Sequence, residues 1–399
     1  MAFNIKSFAR FTYKSLFESR GTNYRLTPKR IKWLAILYLG YPLLELTTWT
    51  GFLLDEILHP DYRREEITEP VFIVGTPRSG TTFLQRLLTK DAANFSSMKT
   101  WEILFAPSIT ARRIVRALTR LDKLLGSPLG SALASLERRW QKQNVMHKVA
   151  LRASEEDDYL LIHIWSSLKI WLFAGMLDEA MPYAYFDSAV PDKEKSRILS
   201  FYKSCVQRHL YLDGCAHNVY LSKNPHFTPM IDTLLTHFPD ARFIYLARNP
   251  LDMIPSLISL KAYEWSLFGD PLEEYACRDY VLNVASHWYT YPLERLKHAC
   301  QGQHIVIDFD SLVSNPEQAV RTIYTHFGLD VTAEFADVLE RETEEARNYE
   351  SQHEYSLEDM GLTREQIVSQ YAAVFAEFGF DTREDESPTE ESLSTDASR

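Results

Sequence analysis

One stretch constrains this chain more than any other: Pro70-Val71-Phe72-Ile73-Val74-Gly75-Thr76-Pro77-Arg78-Ser79-Gly80-Thr81-Thr82-Phe83-Leu84. It opens with a short apolar run rich in β-branched residues, the pattern of a fully buried parallel strand. A Gly-x-x-x-x-Gly turn and two threonines follow, then a helical pattern with Leu84, Leu87 and Leu88 on one face. Strand, glycine loop and helix N-terminus together form an anion cradle. Glycines let backbone N–H groups turn inward, and the helix dipole adds about half a positive charge there. The loop departs from the nucleoside-triphosphatase form, because Thr81 stands where that form needs lysine and the positive charge comes earlier, from Arg78. Such a loop suits a 5′-phosphate but lacks the lysine that a phosphate-splitting site uses.

A second motif lies about 170 residues on. Asp240-Ala241-Arg242-Phe243-Ile244-Tyr245-Leu246-Ala247-Arg248-Asn249-Pro250 reads as another buried strand closed by Arg-Asn-Pro, with Pro255 and Ser256 just behind. Arginine at the carboxyl end of a parallel strand points into the crevice where open α/β sheets bind ligands. Its planar fork suits a phosphate, and Ser256 adds a hydroxyl eight positions later.

With both motifs in place the chain resembles the sulfotransferase family that uses 3′-phosphoadenosine 5′-phosphosulfate (PAPS). There a Pro-[Arg/Lys]-Ser-Gly-Thr-Thr loop binds the 5′-phosphosulfate, and a strand-end Arg with Ser eight residues later binds the 3′-phosphate. The resemblance runs from about Pro70 to about Phe380. It is strongest to the branch widespread in bacteria, through Thr100-Trp101-Glu102, Lys223-Asn224-Pro225-His226 and Asp240-Ala241-Arg242. The Gly-rich carboxy-terminal motif of cytosolic small-molecule sulfotransferases is missing, so the adenine contacts are not placed by analogy. The resemblance implies PAPS as sulfuryl donor, held by Pro77, Arg78, Ser79, Gly80, Thr81, Thr82, Arg248 and Ser256. It implies no metal, and neither His-Glu-x-x-His nor a zinc-spaced Cys pair occurs in the chain.

Sulfuryl transfer moves SO3 to an acceptor oxygen or nitrogen. A loose in-line transition state leaves most of the catalysis to positioning and electrostatics. Arg78, Thr81 and Thr82 are placed to take the charge that develops on the leaving phosphate. Lys223, in the Lys-x-Pro turn at a strand end, matches the lysine that relatives present to the bridging and sulfuryl oxygens. A hydroxyl acceptor needs a base. Glu102 is the leading candidate, a short turn past the loop helix, as in related enzymes with a catalytic Glu; it would need burial to raise its pKa. His147, His163 and His226 are alternatives. The run Ser154-Glu155-Glu156-Asp157-Asp158-Tyr159 has the look of a helix start, and its other reading turns Glu155 or Glu156 toward the acceptor.

The rest of the chain supplies the frame. Its 399 residues, 45% hydrophobic, suffice for a sizeable core, and the net charge of −11 argues against a nucleic-acid partner. Strands alternating with helices predict an α/β fold, a P-loop-type doubly wound parallel sheet flanked by helices. The expected organisation is a helical N-terminal extension over 1–69, a catalytic domain over 70–380 and a disordered acidic tail over 381–399. Residues 101–221 read as a mainly helical insertion that builds the acceptor pocket, with Trp165, Trp171, Tyr183 and Tyr185 as candidate lining. The first 32 residues carry eight Lys or Arg against one Glu, and an apolar stretch follows to Leu54. Pro42 and Glu45 near its middle argue against a membrane span. A basic segment and an aromatic-rich helical hairpin resting on an anionic membrane through residues 1–54 is the reading, with packing on the catalytic domain as its equal. A Golgi-type signal-anchor, compatible with the sequon at Asn94, is a third option. Four scattered cysteines suit reduced thiols, hence a cytoplasmic location. The expected acceptor is a lipid or glycan hydroxyl. The rival readings are a P-loop kinase-like phosphotransferase and a non-catalytic nucleotide-binding relative.

Overall fold

The computed structural model describes residues 2–132, 134–135, 151–214, 219–298, 302–347 and 356–382. His147 and all but the first two residues of the acidic tail lie outside them. Five strands form one sheet in the order β2-β3-β1-β4-β5, where β1 is Val71–Gly75, β2 Phe95–Ser96, β3 Val219–Lys223, β4 Arg242–Ala247 and β5 His304–Asp308. Every pairing is parallel. The chain leaves β1 to build one half of the sheet and returns to its other side for β4 and β5. The topological switch therefore lies at β1, where open α/β sheets bind their ligands. The two-residue β2 is too short to show a periodicity and escaped the sequence.

Alternation along the strands assigns the two faces. Val71, Ile73, Ile244 and Leu246 meet Leu84, Leu87 and Leu88 of α3 (Thr81–Leu88) on one side. Phe72, Val74, Phe243 and Tyr245 meet helix Asp192–Asp213 through Tyr202 and Val206 on the other. Register then aligns the carboxyl ends: Ile73 lies opposite Lys223, Gly75 opposite Leu246, and Ala247 opposite Asp308. Gly75 is required here, since a Cβ on it would stand 2.4 Å from the Leu246 carbonyl oxygen.

The described residues between β2 and β3 are helices and turns, including α4 (Thr100–Leu104) and α5 (Ile109–Leu124). The N-terminal hairpin is present, but its turn lies ahead of the apolar stretch. It joins α1 (Ile5–Phe17) to α2 (Pro28–Leu58), and α2 runs as one helix through Pro42. Tyr38 of α2 donates its hydroxyl to Thr12 of α1 at 3.0 Å. Asp55, fully buried in α2, caps α5 by accepting from the N–H groups of Ile109 and Thr110, each at 2.8 Å. It also faces Arg208 at 3.1 Å. No helix among the described residues is long and apolar enough to cross a membrane.

Candidate active site

The loop between β1 and α3 is a compact turn. The Ser79 hydroxyl donates to the Thr76 carbonyl at 2.6 Å, Arg78 takes a left-handed φ of 71° and Gly80 one of 86°. A Cβ on Gly80 would meet the Phe309 ring at 2.8 Å. No side chain caps α3, so its first N–H groups are left for an anion, as such a site requires.

The second motif closes directly on this loop. Arg248 donates through Nη1 to the Arg78 carbonyl at 2.9 Å, and its guanidinium lies 4.2 Å from the Phe309 ring centroid. Tyr289 fixes the backbone by donating to the Arg248 carbonyl at 2.5 Å. Arg78 Nε donates to Ser256 Oγ at 2.8 Å. Arg78, expected at the sulfuryl end, thus joins the residues of the second motif. Burial lowers the Arg248 pKa, and its Nε is buried with no hydrogen-bond partner among the described residues. A buried, unanswered guanidinium N–H at the end of a strand is the feature expected of a site shaped for an anion.

Lys223 ends β3 fully buried. Its ammonium donates to Glu156 Oε1 at 2.9 Å and to Thr82 Oγ1 at 3.2 Å, with Glu155 Oε1 at 3.7 Å. This bond to Thr82 joins the third strand to the loop. The acidic run that carries Glu155 and Glu156 does not begin an α-helix with a capping box. It leads into a 3-10 helix, Asp157–Ile164, that Glu156 does not cap. The reason lies in its charges. Glu156 pairs with both Lys169 and Lys223, and Asp158 pairs with Lys169 at 3.0 Å. Burial pushes the Glu156 carboxyl up, but Lys169 and Lys223 pull it well below the ordinary range. Asp157 anchors the segment by accepting from Tyr202, Tyr220, Ser222 and Asn224.

His226 donates or accepts at Nδ1 with Asp158 Oδ2, 2.9 Å away. Burial, seconded by Lys169, lowers its pKa below 6.5 against the pull of Asp158. The imidazole is therefore neutral at neutral pH, which fixes Nδ1 as donor to Asp158 and leaves Nε2 as a proton acceptor. Glu156, Asp158 and His226 present ligand atoms within 4.8 Å of one another, yet the Lys169 ammonium already pairs with both carboxylates.

A narrow cavity of about 20 Å³ adjoins His226 and the loop residues Thr76 and Pro77, with Leu257, Val284 and Trp288 among its walls. That is room for about one water. Tyr280 also lines it, and its hydroxyl is buried without a partner among the described residues.

Other sequence expectations resolve differently. Glu102 sits in the first turn of α4, where its Oε2 accepts the Lys99 N–H at 2.9 Å. This is a helix-capping placement, and that bond stays within its own helix end. His163 is held between Glu45 Oε1 at 2.7 Å and the Ile103 carbonyl at 2.9 Å. Trp165 and Trp171 are buried against Phe11 of α1 rather than lining the cavity, and Tyr185 stacks on His287. Asp158, Lys169, Tyr280 and Trp288 carried no motif. Only the unusual density of carboxylates at 155–158 pointed to the first of them.

Comparison with known proteins gives the family. A family model described as "Sulfotransferase family" matches residues 70–333. The chain is 23% identical over 346 residues to Omega-hydroxy-beta-dihydromenaquinone-9 sulfotransferase Stf3 of Mycobacterium bovis, covering 78% of this chain and 75% of that one. In fold it is similar to sulfotransferase STF9 from Mycobacterium avium, with TM-score 0.70, 20% identity and 96% and 98% of the two chains covered. Sulfotransferase STF1 from Mycobacterium tuberculosis H37Rv gives 0.60, 20% identity and 83% and 82% coverage. The loop after β1 and the arginine after β4 are therefore parts of an enzyme, and the chain belongs to the sulfotransferase family.

Proposed function

We propose that the chain transfers a sulfuryl group from PAPS to the hydroxyl of an apolar, lipid-like acceptor. The observation that carries this is the convergence of Lys223, Thr82, Arg78, Arg248 and Ser256 on one loop, with a buried Arg248 Nε that has no partner among the described residues. PAPS, when bound, supplies the sulfuryl group on a phosphate leaving oxygen. Arg248, Ser256 and Arg78 hold the 3′-phosphate end. The α3 N-terminus with Ser79, Gly80, Thr81 and Thr82 holds the 5′ end, with Pro77 shaping the turn, and Lys223 neutralises charge at the transferring group. His226 Nε2 takes the proton of the acceptor hydroxyl, oriented by Asp158. Acceptor entry requires the narrow cavity beside His226 to widen. Its apolar walls, and the ω-hydroxy lipid in the name of the Mycobacterium bovis relative, favour a lipid alcohol over a glycan. Residues 1–54 then serve as the membrane-facing part.

The first test is calorimetry with 3′,5′-adenosine bisphosphate, AMP and ATP. Micromolar binding of the bisphosphate, at least about tenfold tighter than either control, is expected from one additional charge-assisted phosphate contact. Equal or better binding of ATP would return the kinase reading. The base assignment has its own signature. A base must be deprotonated to act, so turnover should be flat at neutral pH. It should fall on acidification with a midpoint below 6.5, following the lowered His226 pKa. His226→Ala should remove that limb and about 10²–10⁴ of the rate. Loss of the limb in Glu102→Gln instead would give the role to Glu102.

A further inference from the structure

Helix α2 buries one face and leaves the other bare. Leu34, Glu45, Thr48, Phe52 and Asp55 point into the protein. On the opposite side Ile36, Leu39, Leu43, Leu46, Leu53 and Ile57 remain 62–74% exposed. Their spacing places them in a single stripe along the helix. Surface helices ordinarily present charged or polar residues there. From Ala35 to Leu54 no exposed position of α2 is charged. Its exposed hydroxyls are answered within the helix: Thr47 donates to the Leu44 carbonyl at 2.7 Å and Thr50 to that of Leu46 at 2.6 Å.

The neighbouring helices add charge to it. Packed beside α2, α5 exposes Ile114, Leu118 and Leu121 together with Arg113, Arg116, Arg120 and Lys123. Arg120 and Lys123 make no ion pair among the described residues. On α1, Tyr13, Leu16 and Phe17 are exposed and Lys6 shares the helix surface, while Arg10 and, on α5, Arg116 are already paired with Glu179 and Asp213. These basic groups gather in a chain whose net charge is −11. Basic and apolar side chains together on exposed helices match the surface of an anionic bilayer. A second copy of the chain fits less well. Taken as a coiled-coil seam, the stripe would be flanked by Ala35, Gly40, Pro42, Thr47, Trp49, Leu54 and Glu56, and the one charge among them is already paired with Arg63 and Arg208, which leaves no charge pair to set a register.

We infer that α2, flanked by α1 and α5, is a membrane-docking face that lies in the plane of an anionic lipid surface. At 31 residues α2 extends about 46 Å, enough for a long in-plane footprint. Its buried face reaches the active-site segment directly. The Tyr41 hydroxyl donates to the Ile162 carbonyl at 2.9 Å, and Glu45 holds His163 at 2.7 Å. Ile162 and His163 belong to the 3-10 helix that begins with Asp157 and Asp158. One helix thickness, about 10 Å, thus separates lipid from the element that orients His226. Delivery of a membrane lipid alcohol to that site rests on the proposed function; the docking itself does not.

The test is co-sedimentation of the full chain with phosphatidylcholine vesicles, with and without ~30% phosphatidylglycerol. Binding to the anionic vesicles that weakens with added salt is expected. A Leu39→Gln, Leu43→Gln, Leu46→Gln triple variant should lose about tenfold or more in partitioning, while calorimetric binding of 3′,5′-adenosine bisphosphate stays as in the parent. Arg120→Glu with Lys123→Glu should lose the preference for anionic vesicles. Wild-type chain that ignores both vesicles, or a triple variant that binds like the parent, overturns the inference. A solution dimer that the triple variant abolishes would give the face to a second copy and overturn it equally. Vesicle binding without bisphosphate binding would leave docking standing and sink the sulfotransferase assignment of the site.

Discussion

Lys223→Met is expected to lower turnover about 10²–10³-fold, or roughly 3–4 kcal/mol of transition-state stabilisation. The ammonium is fully buried and fixed by Glu156 and Thr82, so it is positioned before any ligand arrives. A preorganised charge of this kind acts mainly on charge that develops during transfer. Affinity for 3′,5′-adenosine bisphosphate should therefore change by less than about threefold, since the interaction is made chiefly in the transition state. Met keeps the unbranched stem and drops only the terminal ammonium, and Lys169 still neutralises Glu156. The measurement is release of the bisphosphate from PAPS with a long-chain alcohol such as farnesol in mixed micelles, alongside calorimetry and a melting curve. Retained turnover with lost affinity would move Lys223 from the reacting centre to ground-state binding. A collapsed melting curve would point instead to the cost of breaking a buried pair.

Arg248→Ala should weaken 3′,5′-adenosine bisphosphate binding by about 10²–10³-fold, as expected for loss of a desolvated charge-assisted contact. AMP, which lacks the 3′-phosphate, should bind the variant as it binds the parent. Arg248→Lys should recover only part of the loss, because a point charge cannot reproduce the fork or lie over Phe309 as the guanidinium does. Equal weakening of AMP and the bisphosphate would mean that Arg248 acts by holding the Arg78 carbonyl and the loop, not by touching the ligand.

What was legible in the sequence was local. The strand, loop and helix around Gly75 to Leu88 announce themselves because apolar run, glycines and helical spacing occupy adjacent residues. Arg248 and Lys223 could be placed at strand ends for the same reason. What joins them depends on the register of strands far apart in the chain, and no window of sequence contains it. Glu102 shows the limit from the other side. Its distance past the loop suited a base, but an acidic side chain in the first turn of a short helix is already drawn to the N–H groups at its own helix end. His226 was one of three candidate histidines in the sequence, and no pattern there placed Asp158 beside it. The tryptophans at 165 and 171 were candidate pocket lining, but buried aromatics serve a core as readily as a pocket. The N-terminal helices, which close over that core, decided the matter.

The strand order has a consequence for how such a molecule changes over time. The groups assigned to the donor sit at or just beyond the ends of β1, β3 and β4, three adjacent strands locked by their shared ladder, apart from Ser256 in the helix that follows β4. The stretch between β2 and β3, and helix Arg278–Leu296, stand outside that ladder while contributing Lys169, Asp158 and Trp288. Substitutions there can reshape what is sulfated while the strand ends that hold the donor stay in register. A lineage built this way explores new acceptors with its energy-carrying half held constant, and grafting the intervening helices of one relative into another is the corresponding route to a changed substrate.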